Sequence, residues 1–468
     1  MFRLAIATAI IVCASPAVAT DIVVEPRTKV ASGSEPGIAI TGLSYRQRVR
    51  IHAFASFGRW IDGGGGRYKE VVDTYHSWAD VTADRQGRVA MDRANVRNGT
   101  YAGVDGYGLL WSMRKPRDPI LANAAPTGSD APRPAKGTTS LLVTAAGKII
   151  GSGKVEYREP PGLSVKIVTE GRLNGAYAAP ADKRRRPVII LLHGSEGGGA
   201  EEARSLAVRY AGQGFAAFAL NYFAWDLKKL DGPPNHHVNQ PIELIAEVRD
   251  WLARQPEADV TRLALYGHSK GAEYATIAAT YYPWIKAVVA CVPTDVIWEG
   301  YGIGDGRNRP DPKITWPELR SSWSWRGAPL PYVPLRPWSD PSRAPWFNNT
   351  ERYDVSRAEH PHQAKAAAIP IDRAAARFLL LGGDRDEVWS SGRMARALKQ
   401  RMQRAGKGDR VELVTYGSAG HQICGDGTYP THIWADASPD PRVKDPIAEG
   451  AAAADAWRRI KRFLKARL

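Results

Sequence analysis

Leu263-Ala264-Leu265-Tyr266-Gly267-His268-Ser269-Lys270-Gly271-Ala272-Glu273-Tyr274 decides how this chain is read. Four apolar residues run into a serine framed by glycines, and a helix-forming stretch comes directly after. The segment therefore reads as strand, sharp turn and helix, the form of a nucleophile elbow. Glycines suit both flanks because the serine sits in a strained backbone conformation, where strand and helix leave little room for side chains. With 45 Gly in 468 residues, the G-x-S-x-G pattern alone is weak, and its setting has to carry the reading.

The setting agrees. Arg377-Phe378-Leu379-Leu380-Leu381 reads as a buried strand that ends in Gly382-Gly383-Asp384-Arg385-Asp386, which puts an acid just past a strand's carboxyl end. Asp386 is the candidate acid, with Asp384 in reserve. Val411-Glu412-Leu413-Val414-Thr415-Tyr416 alternates as a strand does, and His421 comes in a loop after Gly417-Ser418-Ala419-Gly420. Ser269, Asp386, His421 is the chain order of an α/β-hydrolase triad, with each group beyond a strand at the face where such sheets carry their sites. Pro187-Val188-Ile189-Ile190-Leu191-Leu192 then delivers the chain to the glycine-rich His193-Gly194-Ser195-Glu196-Gly197-Gly198-Gly199. That loop and the residue after the nucleophile can stabilise a tetrahedral oxyanion through backbone amides: Lys270 for one, Ser195 or Glu196 for the other.

Composition bounds the rest. A length of 468 residues suggests two or more domains, and 44% hydrophobic content is ample for packed cores rather than disorder. Residues 1–19 read as a secretory signal peptide: Arg3, an apolar stretch from Leu4 to Val12, and Ala17-Val18-Ala19 as a small-residue cleavage site. Val12 before Cys13 argues against a lipid-modified cysteine. No other segment approaches the roughly 18 apolar residues of a membrane span, so no stable membrane insertion is expected. The formal net charge is +16, but the basic residues are scattered, with Lys183-Arg184-Arg185-Arg186 the main run. That run reads as a solvated loop, and nothing has the aromatic and basic interleaving of a nucleic-acid platform. Removing the leader leaves Cys291 and Cys424. Cys291 ends the strand-like Ala287-Val288-Val289-Ala290 and is expected to be simply buried, with a disulfide the less favoured alternative.

Residues 20–158 differ in character from the remainder of the chain. Short strand-like runs such as Val49-Arg50-Ile51-His52-Ala53-Phe54, with turn signals every ten residues or so, suggest a small immunoglobulin-like β-sandwich. Asp118 to Gly137 reads as an irregular loop within it; Ser140 to Val143 and Gly153 to Tyr157 read as its last strands. From residue 159 to 468, apolar strands alternate with helical stretches such as Ile242 to Leu252, the rhythm of a mostly parallel sheet covered by helices. Within this half an insertion, residues 292–368, gathers Trp298, Trp316, Trp323, Trp325, Trp338 and Trp346 among prolines. It reads either as a cap with an apolar acyl pocket or as a long excursion that tryptophans pack. His236-His237 and the His360, His362 pair lack a third ligand at a recognisable spacing, so no metal is expected.

The sequence resembles a known family on specific residues. Gly99-Thr100-Tyr101-Ala102-Gly103-Val104-Asp105-Gly106-Tyr107-Gly108-Leu109-Leu110-Trp111-Ser112-Met113 is similar to the amino-terminal signature of the acyl-CoA thioesterase and bile acid-CoA:amino acid N-acyltransferase family. The other half resembles it at Gly194 to Gly198, Leu220 to Phe223, Ser269-Lys270-Gly271-Ala272-Glu273, Ala368 to Asp372, Asp386 with Trp389, and Ala419-Gly420-His421. The resemblance spans nearly the whole mature chain. It implies the triad roles already assigned to Ser269, Asp386 and His421. It also implies hydrolysis rather than transfer, since a serine nucleophile in this family goes with hydrolysis and a cysteine with transfer to amino acids.

The expected reaction needs no cofactor: His421 takes the proton of Ser269, Asp386 holds the imidazole, and water hydrolyses an acyl-enzyme. Turnover should therefore fall as His421 becomes protonated at acid pH. The expected substrate is a small-molecule acyl thioester, with a carboxylesterase acting on oxygen esters or an acyltransferase using an amine acceptor as alternatives. A leader peptide implies a periplasmic or secreted protein, a departure from a family whose acyl-CoA substrates are cytosolic.

Overall fold

The apolar runs on either side of the elbow become the centre of an eight-stranded sheet. The computed structural model describes residues 22–62, 68–115, 137–225, 230–301, 321–336, 349–437 and 445–468. The expected leader, nearly all of the Asp118 to Gly137 loop, and Trp316, Trp338 and Trp346 lie outside the described residues.

Numbering the strands of the large sheet alone, β1 is Leu163–Glu170, β2 Leu173–Pro180, β3 Arg186–Leu192, β4 Ala216–Leu220, β5 Ala258–His268, β6 Ile285–Cys291, β7 Arg377–Gly383 and β8 Val411–Tyr416. Their spatial order is 1-2-4-3-5-6-7-8. β3 to β8 run parallel, while β2 is antiparallel to both its neighbours. Strands covered on both faces need unbroken apolar runs, and β3 and β6 supply them: Val188 to Leu192 and Ala287 to Cys291 are fully buried. The flanking helices are α1 Ala200–Ala211, α2 Leu244–Ala253, α3 Lys270–Tyr281, α4 Ser391–Arg404 and α5 Pro446–Arg467. The order reverses between β3 and β4, and the ends of β3, β5, β7 and β8 converge on one side of the sheet, which is where such sheets carry ligands.

Before β1 the chain forms two further sheets. Val23–Glu25, Ala39–Thr41 and Val89–Ala90 make a three-stranded antiparallel sheet. Val30–Ala31, Lys148–Arg158, Thr138–Ala145, Arg48–Asp62, Tyr68–Thr82 and Asn98–Gly99 make a six-stranded one, in that order. Val24 and Ile40 of the first share a core with Ile51, Ala53, Leu141, Val143 and Val155 of the second. The run at Val49 to Phe54 is longer than turn spacing suggested: it belongs to a hairpin of two 15-residue strands paired from Arg48↔Thr82 to Asp62↔Tyr68.

Helix α5 joins the two halves. Pro at its first position fixes a helical φ, and Asp445 caps it by accepting from the amides of Ile447 and Ala448, both at 3.1 Å. The helix lies against β6 and β7 on one side. On the other, Trp457 Nε1 donates to the Gly33 carbonyl at 2.8 Å, and Arg458 pairs with Asp105 at 3.0 Å.

Candidate active site

Ser269 joins β5 to α3 with φ 56° and ψ −119°, a conformation that costs a non-glycine residue on the order of 1–3 kcal/mol. The need for flanking glycines comes from close approach: a Cβ on Gly267 would stand 2.0 Å from the Gly271 carbonyl, and one on Gly271 would stand 2.3 Å from that of Leu192. The sharp turn lifts Ser269 Oγ to 3.0 Å from His421 Nε2. His421 Nδ1 stands 2.8 Å and 3.0 Å from the two carboxylate oxygens of Asp386. A proton on Nδ1 satisfies the carboxylate and leaves Nε2 as the acceptor for the serine hydroxyl. The amides of Val388 and Trp389 orient Asp386 by donating to Oδ1 at 2.9 and 3.3 Å. All three side chains are buried. Asp384 is elsewhere: it takes a bidentate pair from Arg396 at 2.7 Å and does not reach the imidazole.

The loop after β3 runs beside the serine. Gly194 N–H donates to Glu196 Oε1 at 2.8 Å, and Trp225 Nε1 donates to the Ser195 carbonyl at 3.0 Å. Burial pushes the Glu196 carboxyl up, but the facing His268 and His193 and the Gly194 amide outweigh it and hold it below the usual range. His268 is lowered by burial and by its neighbour His421. The amide of Lys270 lies at the amino terminus of α3, where backbone N–H groups and the helix dipole favour negative charge.

The Lys270 side chain does something the sequence did not reveal. It is buried, its Nζ at 2.8 Å from Glu273 Oε2 and 3.0 Å from Ser322 Oγ. Glu273 Oε1 in turn accepts from Trp323 Nε1 at 2.9 Å and from the Trp298 amide at 3.2 Å. Burial lowers the Lys270 pKa, opposed by the Glu273 charge. Trp298 and Trp323 are thus buried packing residues of the insertion, bonded through Glu273 to the helix that follows Ser269. Trp325 is half-buried against Tyr281 and Tyr282. His237 is enclosed between Tyr301 and Trp323.

Cys291 and Cys424 are joined by a disulfide, contrary to the expectation that Cys291 is merely buried. A strand end and a loop separated by 133 residues meet because β6 and the His421 loop flank the same site. Sequence spacing alone carries no sign of that.

Two family models match this chain. The one described as "BAAT / Acyl-CoA thioester hydrolase C terminal" covers residues 241–468, and "Acyl-CoA thioester hydrolase/BAAT N-terminal region" covers residues 35–136. Among curated proteins, the human acyl-coenzyme A thioesterase 6 is 26% identical, over 95% of this chain and 96% of its own length. The mitochondrial human acyl-coenzyme A thioesterase 2 is 24% identical, over 95% of this chain and 84% of its own. Among solved structures, a hyperthermophilic esterase from Pyrobaculum calidifontis is 15% identical, covers 65% of this chain and 85% of its own, and has a TM-score of 0.36. Strand order and elbow geometry define an α/β-hydrolase fold, and the chain is a hydrolase that belongs to the acyl-CoA thioester hydrolase/BAAT family.

Proposed function

We propose that this protein is an exported serine hydrolase that cleaves acyl thioesters through Ser269, His421 and Asp386. The observation that carries the reading is the continuous hydrogen-bonded chain from Ser269 Oγ through the His421 ring to Asp386, at 3.0 and 2.8 Å. Ser269 Oγ attacks the thioester carbonyl carbon as its proton passes to His421 Nε2. The oxygen of the tetrahedral intermediate takes hydrogen bonds from the Lys270 amide and from that of Ser195 or Glu196. Collapse breaks the carbon–sulfur bond, and the imidazolium protonates the departing thiolate. Water then gives a proton to His421 and attacks the acyl-enzyme, releasing the carboxylic acid and restoring Ser269. The thioester class comes from the curated relatives, which are named as acyl-coenzyme A thioesterases over nearly the whole chain.

A second reading, hydrolysis of oxygen esters, is favoured by one specific observation. The Cys291–Cys424 disulfide is the chemistry of an oxidising compartment, in keeping with a leader at residues 1–19, and free acyl-CoA is a cytosolic metabolite. Export and the triad serve both readings alike. Hydrolysis of palmitoyl-CoA should be compared with that of short and medium p-nitrophenyl esters, each against Ser269→Ala. A kcat/KM preference for the thioester supports the first reading; thioester barely turned over beside rapid ester hydrolysis replaces it with the second. Ser269→Ala with most activity retained would overturn both.

A further inference from the structure

We infer that Glu449, on the first turn of α5, is a positioning residue for the base: its carboxyl fixes the loop that carries His421 through the Gly420 amide. The inference rests on the triad reading above. Gly420 N–H donates to Glu449 Oε1 at 2.6 Å, a buried contact one residue before His421. Glu449 is fully buried, and its second oxygen, Oε2, has no hydrogen-bond partner among the described residues. A carboxyl is costly to hold in such a place, and the short bond from the Gly420 amide offsets part of the cost of its burial.

The rest of the loop shows why this one contact matters. Upstream, Arg385 N–H donates to the Ala419 carbonyl at 3.0 Å, tying the loop to the strand end that bears Asp386. Downstream, Cys424 is bonded to Cys291. Between these two ties, Glu449 meets the backbone immediately before the imidazole. Rotation of the Gly420–His421 peptide would swing Nε2 away from Ser269 Oγ, whose 3.0 Å separation leaves little slack. The carboxyl does not touch the reacting atoms and acts only through His421.

Electrostatics fits a neutral carboxyl at this position. Burial pushes Glu449 up to about 8; the amides of Gly420 and Gln422 oppose the shift, and Asp386 and Asp445 add to it. A protonated Glu449 still accepts from Gly420 through one oxygen without setting a second negative charge beside Asp386. Helix α5 can hold this side chain firmly because it is clamped from the far side. Gly450 sits against the Trp111 indole, Arg458 pairs with Asp105, and Trp457 bonds to Gly33. The amino-terminal half thereby buttresses the helix that holds the loop of His421.

The test compares Glu449→Leu, Glu449→Asp and Glu449→Gln with the wild type. The readouts are kcat and KM for the better substrate and the labelling rate of Ser269 by a fluorophosphonate. Glu449→Leu, which removes the acceptor, should lower kcat and labelling rate by at least about tenfold with KM within about twofold. Glu449→Gln, which keeps an acceptor oxygen without charge, should retain kcat within about threefold of wild type. Glu449→Asp withdraws the acceptor by one methylene and should fall between them, which keeps the test decisive if the leucine variant fails to fold. A folded Leu or Asp variant with wild-type kcat and labelling rate overturns the inference, as does a loss confined to KM. A wild type without Ser269-dependent turnover would instead sink the triad reading itself.

Discussion

The amide of Ser269 donates to the carbonyl oxygen of Cys291 at 2.9 Å, and the sulfur of that same Cys291 is bonded to Cys424, three residues beyond His421. The proposed nucleophile and base are therefore connected through one residue by a hydrogen bond and a covalent bond. Replacing Cys424 with Ala, or reducing the protein, should destabilise the fold by about 2–5 kcal/mol, given the long loop the bridge closes. Turnover should fall as well, because the base loop loses its downstream tie. Thermal melts and kcat with and without reductant check this; a Cys424→Ala variant with unchanged melting and unchanged kcat would contradict it.

Two aspartates stand two residues apart, and only one faces the imidazole. Asp386→Asn should lower kcat by about four orders of magnitude, since an amide cannot hold the Nδ1 proton and the productive tautomer in the same way. Asp384→Asn removes a partly exposed pair with Arg396 and should cost no more than about 1 kcal/mol of stability, with kcat near wild type. Equal losses in the two variants would refute the assignment of the acid.

Lys270 and Glu273 form an ion pair shut away from solvent, so breaking it on one side leaves a buried charge without its counter-ion. Glu273→Ala should cost about 3–5 kcal/mol. Lys270→Met combined with Glu273→Gln should cost less than that single change, since the glutamine oxygen can still accept from Trp298 and Trp323 and no ammonium is stranded. Denaturant midpoints for the variants decide it, and a double variant worse than Glu273→Ala would be the opposing result.

His52 and His76 lie buried in the six-stranded sheet, Nδ1 of the first 3.0 Å from Nε2 of the second. Burial lowers them to about 4 and about 3 respectively, with the Arg50 charge acting on both and His52 also acting on His76. Both pKa values are depressed relative to the unfolded chain, so their contribution is present above about pH 6.5 and is lost as pH falls toward 4 and 3. Several kcal/mol should disappear over that window. Urea midpoints at pH 7 and pH 4.5 should differ markedly for the wild type and much less for His76→Phe; parallel shifts would rule the pair out as the cause.

Much of this was legible beforehand, for reasons that differ from residue to residue. Ser269 and Asp386 each come after an apolar run that reads as a buried strand, and His421 after one that alternates as a strand does, so their order along the chain suggested a shared face. The central strands were readable for the same reason. Lys270 was visible only as an amide donor: the Lys270–Glu273 spacing suggests a helical pair, but nothing local says that the pair is enclosed by Trp298 and Trp323 from an insertion. The disulfide depends on where β6 ends relative to a loop 133 residues later, which is a tertiary fact. Glu449 sits in an alanine-rich helical stretch with no motif around it, and its meaning comes entirely from the loop it meets. The long hairpin of Arg48–Asp62 and Tyr68–Thr82 escaped because turn-forming residues elsewhere suggested shorter strands.

Helix α5 meets two widely separated parts of the sequence at once: Trp457 reaches Gly33, while Glu449 reaches Gly420. That helix therefore bridges the amino-terminal half and the loop that carries His421. Without it, the Gly420 amide lacks the Glu449 acceptor, and one of the ties that set the bearing of the imidazole on Ser269 is missing. Competence would then depend on the docking of this helix as well as on the elbow itself.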